Sequence, residues 1–126
     1  KKLNFWGNTM LEEKLQVYDY DGDGYKTMHS FDGWRIAYLN YAERFSKEGM
    51  TYLERHNLTD EAFILLNGDA TLLIGEKGEP CKMEKNKIYN VQKGVWHNII
   101  VSRDAKCLVF ENSDTSAENT EFLYLK

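Results

Sequence analysis

From residue 34 to the end, the chain is a succession of short apolar runs rich in β-branched and aromatic residues, each cut off by a polar turn. That rhythm is too short for helices and matches the strand period, so it constrains the fold more than any other feature. Strands are predicted near 34–45, 51–57, 62–66, 69–74, 79–84, 87–92, 97–102, 106–111 and 120–125. Turn chemistry separates them: Asn67-Gly68, Gly75-Glu76-Lys77-Gly78 and Lys93-Gly94. Asn67-Gly68, lying between two apolar runs, predicts a tight hairpin. Many short strands with almost no helix imply an all-β sandwich, jelly roll or barrel. At 126 residues the sequence fits one domain, residues 1–126, able to bury roughly two-thirds of its unfolded surface.

The first 33 residues read differently, as an extension that caps an edge of the barrel at about 34–125 or crosses to a partner. Thr9 through Gln16 is predicted as a short helix, with Thr9 as cap and Glu12 three positions later. Asp19, Asp21, Asp23 and Gly24 match the first half of a calcium-binding helix–loop–helix loop. The second half does not follow: Ser30 stands where a bidentate glutamate belongs and Lys26 where an apolar residue does. An acidic, glycine-rich turn is the expectation, with calcium a minor alternative.

Several function classes are excluded early. A net charge of −4, with signs mixed along the chain and no basic stripe, argues against a nucleic-acid binder. No apolar run approaches the roughly 18 residues needed to span a bilayer, and no leader-like stretch opens the sequence. Cys81 and Cys107 lack metal-type spacing and read as two thiols of a reducing cytoplasm, with a disulfide the alternative.

The candidate site lies between Glu54 and Gly68. Glu54 and His56 are two apart and share a face of an extended chain. Glu61 heads the apolar run Ala62-Phe63-Ile64-Leu65-Leu66, where an unpaired buried carboxylate would be costly. His97 follows about thirty residues later in Gly94-Val95-Trp96-His97. Two imidazoles with one or two carboxylates suit Fe(II), Mn(II) or Zn(II). A one-residue slip would instead turn Arg55 and Asn57 inward, filling the pocket with a guanidinium, and only a bulge decides between the two registers.

Residues 49–68 together with 86–97 resemble the two sequence motifs of the cupin superfamily. In the first motif His56 stands at the second histidine, Glu61 at the glutamate and Gly68 at the closing glycine; Glu54 replaces the first histidine and Gly49 lies one residue too close. In the second, Gly94 and His97 fit, Gln92 replaces the proline, and Val101 holds the asparagine position with Asn98 nearby. The resemblance implies a jelly-roll-like β-barrel of the small single-domain kind, with a mouth that binds Fe, Mn, Zn or Ni. It further implies metal ligands at Glu54, His56, Glu61 and His97, a catalytic part for Glu54 and Glu61, and no organic cofactor. A small organic ligand, sugar or organic acid, is the expected partner, in a homodimer. A metal-free isomerase- or epimerase-like enzyme and a non-catalytic ligand sensor are the alternatives. Trp34, Tyr38, Tyr52, Phe63, Tyr89 and Trp96 are candidates to line the mouth, against the commoner fate of strand aromatics in a core.

Overall fold

The structure is a computed structural model that describes residues 13–125. The chain runs through β1 (Tyr25–Phe31), β2 (Trp34–Asn40), β3 (Tyr52–His56), β4 (Glu61–Asn67) and β5 (Ala70–Ile74). It continues through β6 (Glu79–Lys82), β7 (Ile88–Val91), β8 (His97–Val101), β9 (Lys106–Asn112) and β10 (Thr120–Tyr124). These form two five-stranded antiparallel sheets, ordered β1-β2-β9-β4-β7 and β10-β3-β8-β5-β6. Among the described residues only β1–β2 and β5–β6 are sequence neighbours paired in one sheet; every other connection between these strands crosses to the opposite sheet. That crossing pattern is a jelly roll, in which neither sheet can form without the other.

The strand alternation that predicted a buried face delivers one. On β4 the residues turned inward are Glu61, Phe63 and Leu65; on β8 they are His97, Ile99 and Val101; on β9, Cys107, Val109 and Glu111. Glu61 and His97 begin their strands, whereas His56 and Glu111 lie at or near the ends of theirs, so antiparallel pairing gathers all four at one end of the barrel. The other end is filled by Leu65, Ala70, Leu72, Met83, Val101, Ala105 and Cys107. The closed apolar end anchors the strands, at about 25 cal/mol for each Å² of apolar surface withdrawn from water, and leaves the opposite end free to hold charge.

Several expectations are corrected. Asn67-Gly68 does not close a hairpin, because β4 and β5 belong to different sheets. Gly68 instead takes the chain around the barrel corner at φ +75, where a Cβ would lie 2.7 Å from Ser102 Oγ and 2.8 Å from Ala105 Cα. The tight-turn chemistry is the same; burying the inner faces of both sheets overrides the local pairing preference. The hairpin in this region is β5–β6, whose turn carries Gly75 and Gly78 at positive φ. The run 34–45 is not one strand: β2 stops at Asn40 and Glu43–Phe45 form a 3-10 turn that buries Phe45. Asn40 ends the strand by donating its Nδ2 to the carbonyls of Tyr20 and Gly22.

The N-terminal extension contributes an unforeseen strand, β1, along the sheet edge, with a bulge between Thr27 and His29. The helix expected over Thr9–Gln16 falls largely outside the described residues; Glu13 and Lys14 are helical, and Leu15 and Gln16 have no regular structure. The acidic turn before β1 closes on a lysine: Lys106 Nζ donates to Asp19 Oδ1 at 2.9 Å and Asp21 Oδ1 at 3.1 Å. Cys81 is exposed, Cys107 is buried, and both are free thiols.

Candidate metal centre

Alternation on β3 turns Glu54 and His56 into the barrel and Arg55 out of it. Arg55 pairs with Glu121 on β10 and stacks over the Trp96 ring, 4.5 Å from its centroid. The register that would have put Arg55 and Asn57 inside is therefore not the one adopted. Glu54 stands directly across from His97 on β8. Glu61, the first residue of β4, reaches the same point from the opposite sheet.

Glu54, His56, Glu61 and His97 each present one donor atom, and the four atoms lie within 4.8 Å of one another. Glu61 Oε1 is the hub, 3.0 Å from His56 Nε2 and 2.7 Å from His97 Nε2. Glu54 Oε2 lies 3.6 Å from His56 Nε2. His56, Glu61 and His97 are 7, 6 and 2% exposed, so water does not solvate this charge. The far side of each imidazole is also tied. His97 Nδ1 donates to the Val95 carbonyl at 2.9 Å, and His56 Nδ1 lies 2.9 Å from Thr120 Oγ1. A carbonyl can only accept, so the proton at His97 Nδ1 is fixed, and Nε2 either donates to Glu61 as imidazolium or offers its lone pair to a cation. That outer hydrogen bond is the one metal-ligating histidines use to set tautomer and ring orientation. By donor chemistry and spacing, these residues fit a divalent ion.

The electrostatics follow from burial. Burial disfavours charge on Glu61, but hydrogen bonds from His56 and His97 overcome it and hold its carboxyl well below the usual carboxylate range. Burial likewise opposes protonation of both imidazoles, and the Glu61 carboxylate wins, raising each. Glu54 is pushed up, first by burial and then by the charge on Glu61.

A further ionisable group, on β9 in the same sheet as Glu61, escaped the sequence reading. Glu111, one residue from the end of β9, shares a buried face with Cys107 and Val109 and has a side chain only 3% exposed. Its Oε2 accepts from Tyr25 OH, from Arg35 Nη2 at 2.7 Å and from Arg35 Nε at 3.1 Å. Arg35 also donates from Nη1 to the Thr115 carbonyl at 3.0 Å. Burial, then the Glu61 charge, raises the Glu111 carboxyl, while the bonds from Tyr25 and Arg35 work the other way. The signal was present in the period-2 series Cys107, Val109, Glu111, and in Arg35 set between Trp34 and Ile36.

Both sheets face a cavity of about 280 Å³, open at the charged end and lined also by Arg44, Phe45, Tyr52, Phe63, Asn98 and Phe122. Of the aromatics proposed for the mouth, Tyr52 and Phe63 line it, with Phe122 set edge-on to Tyr52 at 5.4 Å. Tyr89 packs against the apolar core. Trp34, 48% exposed, and Tyr38, under Lys106, take no part in the lining, nor does Trp96 beneath Arg55.

No protein-family model and no curated protein sequence matches the chain. Solved structures do. Streptomyces Pac13, described as a nucleoside dehydratase and seen with uridine, is 6% identical, with a TM-score of 0.62 over 88% of this chain and 93% of that one. A cupin-2 domain protein of Shewanella frigidimarina is 16% identical, with a TM-score of 0.55 over 86% of this chain and 92% of its own. An RmlC-like cupin of Methanocaldococcus jannaschii is 17% identical, with a TM-score of 0.56 over 79% and 91%. At these identities the likeness establishes architecture: the chain has the fold of a small cupin.

Proposed function

We propose that this small cupin holds a divalent metal ion, Fe, Mn, Zn or Ni, at Glu54, His56, Glu61 and His97, and beside it a small organic ligand, a sugar or an organic acid. The carrying observation is that four donors from β3, β4 and β8 meet inside one water-poor end of the barrel, with His97 locked in the tautomer a metal needs. Three carboxylates, Glu54, Glu61 and Glu111, share that space, with Arg35 paired to Glu111 and Arg44 also on the cavity lining, and a divalent ion at the four donors relieves the repulsion that raises Glu54 and Glu111. When bound, such an ion supplies Lewis acidity to a carbonyl or hydroxyl oxygen. Glu54, whose side chain is 26% exposed while the other three ligands are nearly sealed, holds or moves a proton at the cavity. Glu61 orients both imidazoles.

The cavity volume suits one or two small rings, and a fold neighbour seen with uridine lends support to a ligand of that size. Metal analysis of protein purified without a polyhistidine tag tests the reading: about one equivalent is expected, and less than about a tenth from every metal overturns it. A second reading is favoured by one observation. The Glu61 hydrogen bonds to His56 and His97 are complete without an ion, so the same residues could act as metal-free acid and base. Activity that survives chelation but is lost in His97→Ala would select it.

The remaining parts of the proposal concern setting. A single domain in a reducing cytoplasm agrees with the two free thiols. A homodimer agrees with the exposed Phe31, Trp34, Leu66, Ile88 and Phe110 of the β1-β2-β9-β4-β7 sheet. Light scattering at micromolar concentration would give twice the 14.8 kDa chain mass if the dimer forms.

A further inference from the structure

Apart from Glu54, 3.6 Å from His56 Nε2, and Arg44, which lies over the Phe45 ring, the polar side chains lining the cavity can be accounted for one at a time. Asn98 donates from Nδ2 to the Tyr52 carbonyl and accepts at Oδ1 from the Ile99 N–H. Thr115 Oγ1 donates to the Asn112 carbonyl, Ser116 Oγ accepts from the Glu118 N–H, and Thr120 Oγ1 is engaged with His56. Glu61 Oε1 is shared by both imidazoles. Glu111 Oε1 is different: it is buried and has no hydrogen-bond partner among the described residues, while Oε2 of the same carboxylate carries Tyr25 and Arg35. Glu111 lines the cavity, and its free oxygen lies 3.9 Å from His56 Nε2. Glu111 is nevertheless outside the four-donor group, so it stands beside the ion's position.

A buried acceptor left unpaired is costly, more so when charged, and native proteins rarely carry one without a use. With Oε2 held by two side chains, the carboxylate has no freedom to turn its other oxygen away. We infer that Glu111 Oε1 is a ligand-recognition group that receives an O–H of the bound molecule, so the cavity selects hydroxylated ligands over their deoxy counterparts. Tyr25 and Arg35 are positioning residues that aim this oxygen. The inference deepens the proposed function by naming a hydroxyl donor as the feature recognised, and it rests on the same cavity, though not on the metal.

The test is a double-mutant-type cycle with glycolate and acetate, which differ by one hydroxyl. Affinities are measured by NMR titration at pH 8, on Zn(II)-loaded and on EDTA-treated protein, with zinc content determined in the same samples. Chelation of zinc by glycolate is common to wild type and variant and cancels in the cycle. The glycolate preference is expected to fall about tenfold in Glu111→Gln, since a charge-assisted hydrogen bond is lost, and the fall is read on the EDTA-treated arm as well, where zinc plays no part. In Tyr25→Phe, where Arg35 still holds the carboxylate, a smaller fall of about threefold is expected. An unchanged preference in both variants, or binding of neither acid to wild type at about 50 mM, overturns the inference. A protein that takes up no zinc but keeps the cycle on the EDTA-treated arm overturns the metal reading and leaves Glu111 in its role.

Discussion

Two clusters of carboxylates sit at different places in this barrel, and they behave oppositely. In the turn before β1, Asp19 and Asp21 are 70 and 86% exposed at the side chain and are bridged by the Lys106 ammonium. At the charged end, Glu61 and Glu111 are 7 and 3% exposed, and the first meets two imidazoles while the second meets Arg35 and Tyr25. Water and one flexible lysine satisfy the outer group, and in water such pairs contribute little. The inner group has no solvent to fall back on, so every charge must be met by a fixed partner or by a ligand. An acidic spacing in a loop therefore says little about a metal, whereas carboxylates and imidazoles forced together by opposing strands say a great deal.

The largest effect expected from that contrast is at the hub. Glu61→Gln should weaken Zn(II) or Mn(II) binding by more than about 100-fold in a titration, beyond the 10–100-fold typical of an outer-sphere partner. A loss under tenfold would mean that Glu61 is not a ligand.

Next is the pH dependence of the metal-free protein. His56 and His97 have folded values raised above 6.5, so their stabilisation is complete below 6.5 and is lost as pH rises through the raised values. Glu61, depressed below 4.5, contributes above 4.5 and loses its contribution as pH falls through the lower folded value. Glu54 and Glu111, both raised, add a penalty as pH climbs above 4.5. The melting temperature of EDTA-treated protein should therefore peak on the mildly acid side and decline above it. The gain from added metal should grow with pH, because ligating imidazoles must be deprotonated. A melting temperature that rises steadily from pH 6 to 9 without metal would contradict the coupled cluster.

The smallest effect belongs to the outer group. Asp21→Asn should leave the melting temperature within about 2 °C, and millimolar calcium should not move it. A calcium-dependent rise abolished by Asp21→Asn would erase the distinction between the two clusters.

The legibility of the sequence divides along a similar line. Strand periodicity carried the β-rich architecture, and the resemblance to the cupin motifs picked out Glu54, His56, Glu61 and His97, which the fold brings together. What it could not carry was long-range pairing. Asn67-Gly68 reads the same in a hairpin and at an inter-sheet corner, and only the demand to bury Leu65 and Ala70 in one shared core decides. Arg35 and Glu111 are 76 positions apart, and nothing local marks either as half of a buried pair. β1 was obscured because its pattern, Tyr-Lys-Thr-Met-His-Ser-Phe, is only partly buried on either face.

The central claim is that Glu54, His56, Glu61 and His97 converge on one ion. X-ray absorption at the zinc edge of Zn(II)-loaded protein tests it most directly. The account expects a first shell of nitrogen and oxygen at about 2.0–2.2 Å with multiple scattering from two imidazoles, reduced to an altered shell in His97→Ala. A sulfur shell near about 2.3 Å from Cys81, or a spectrum with no imidazole signature, would contradict it.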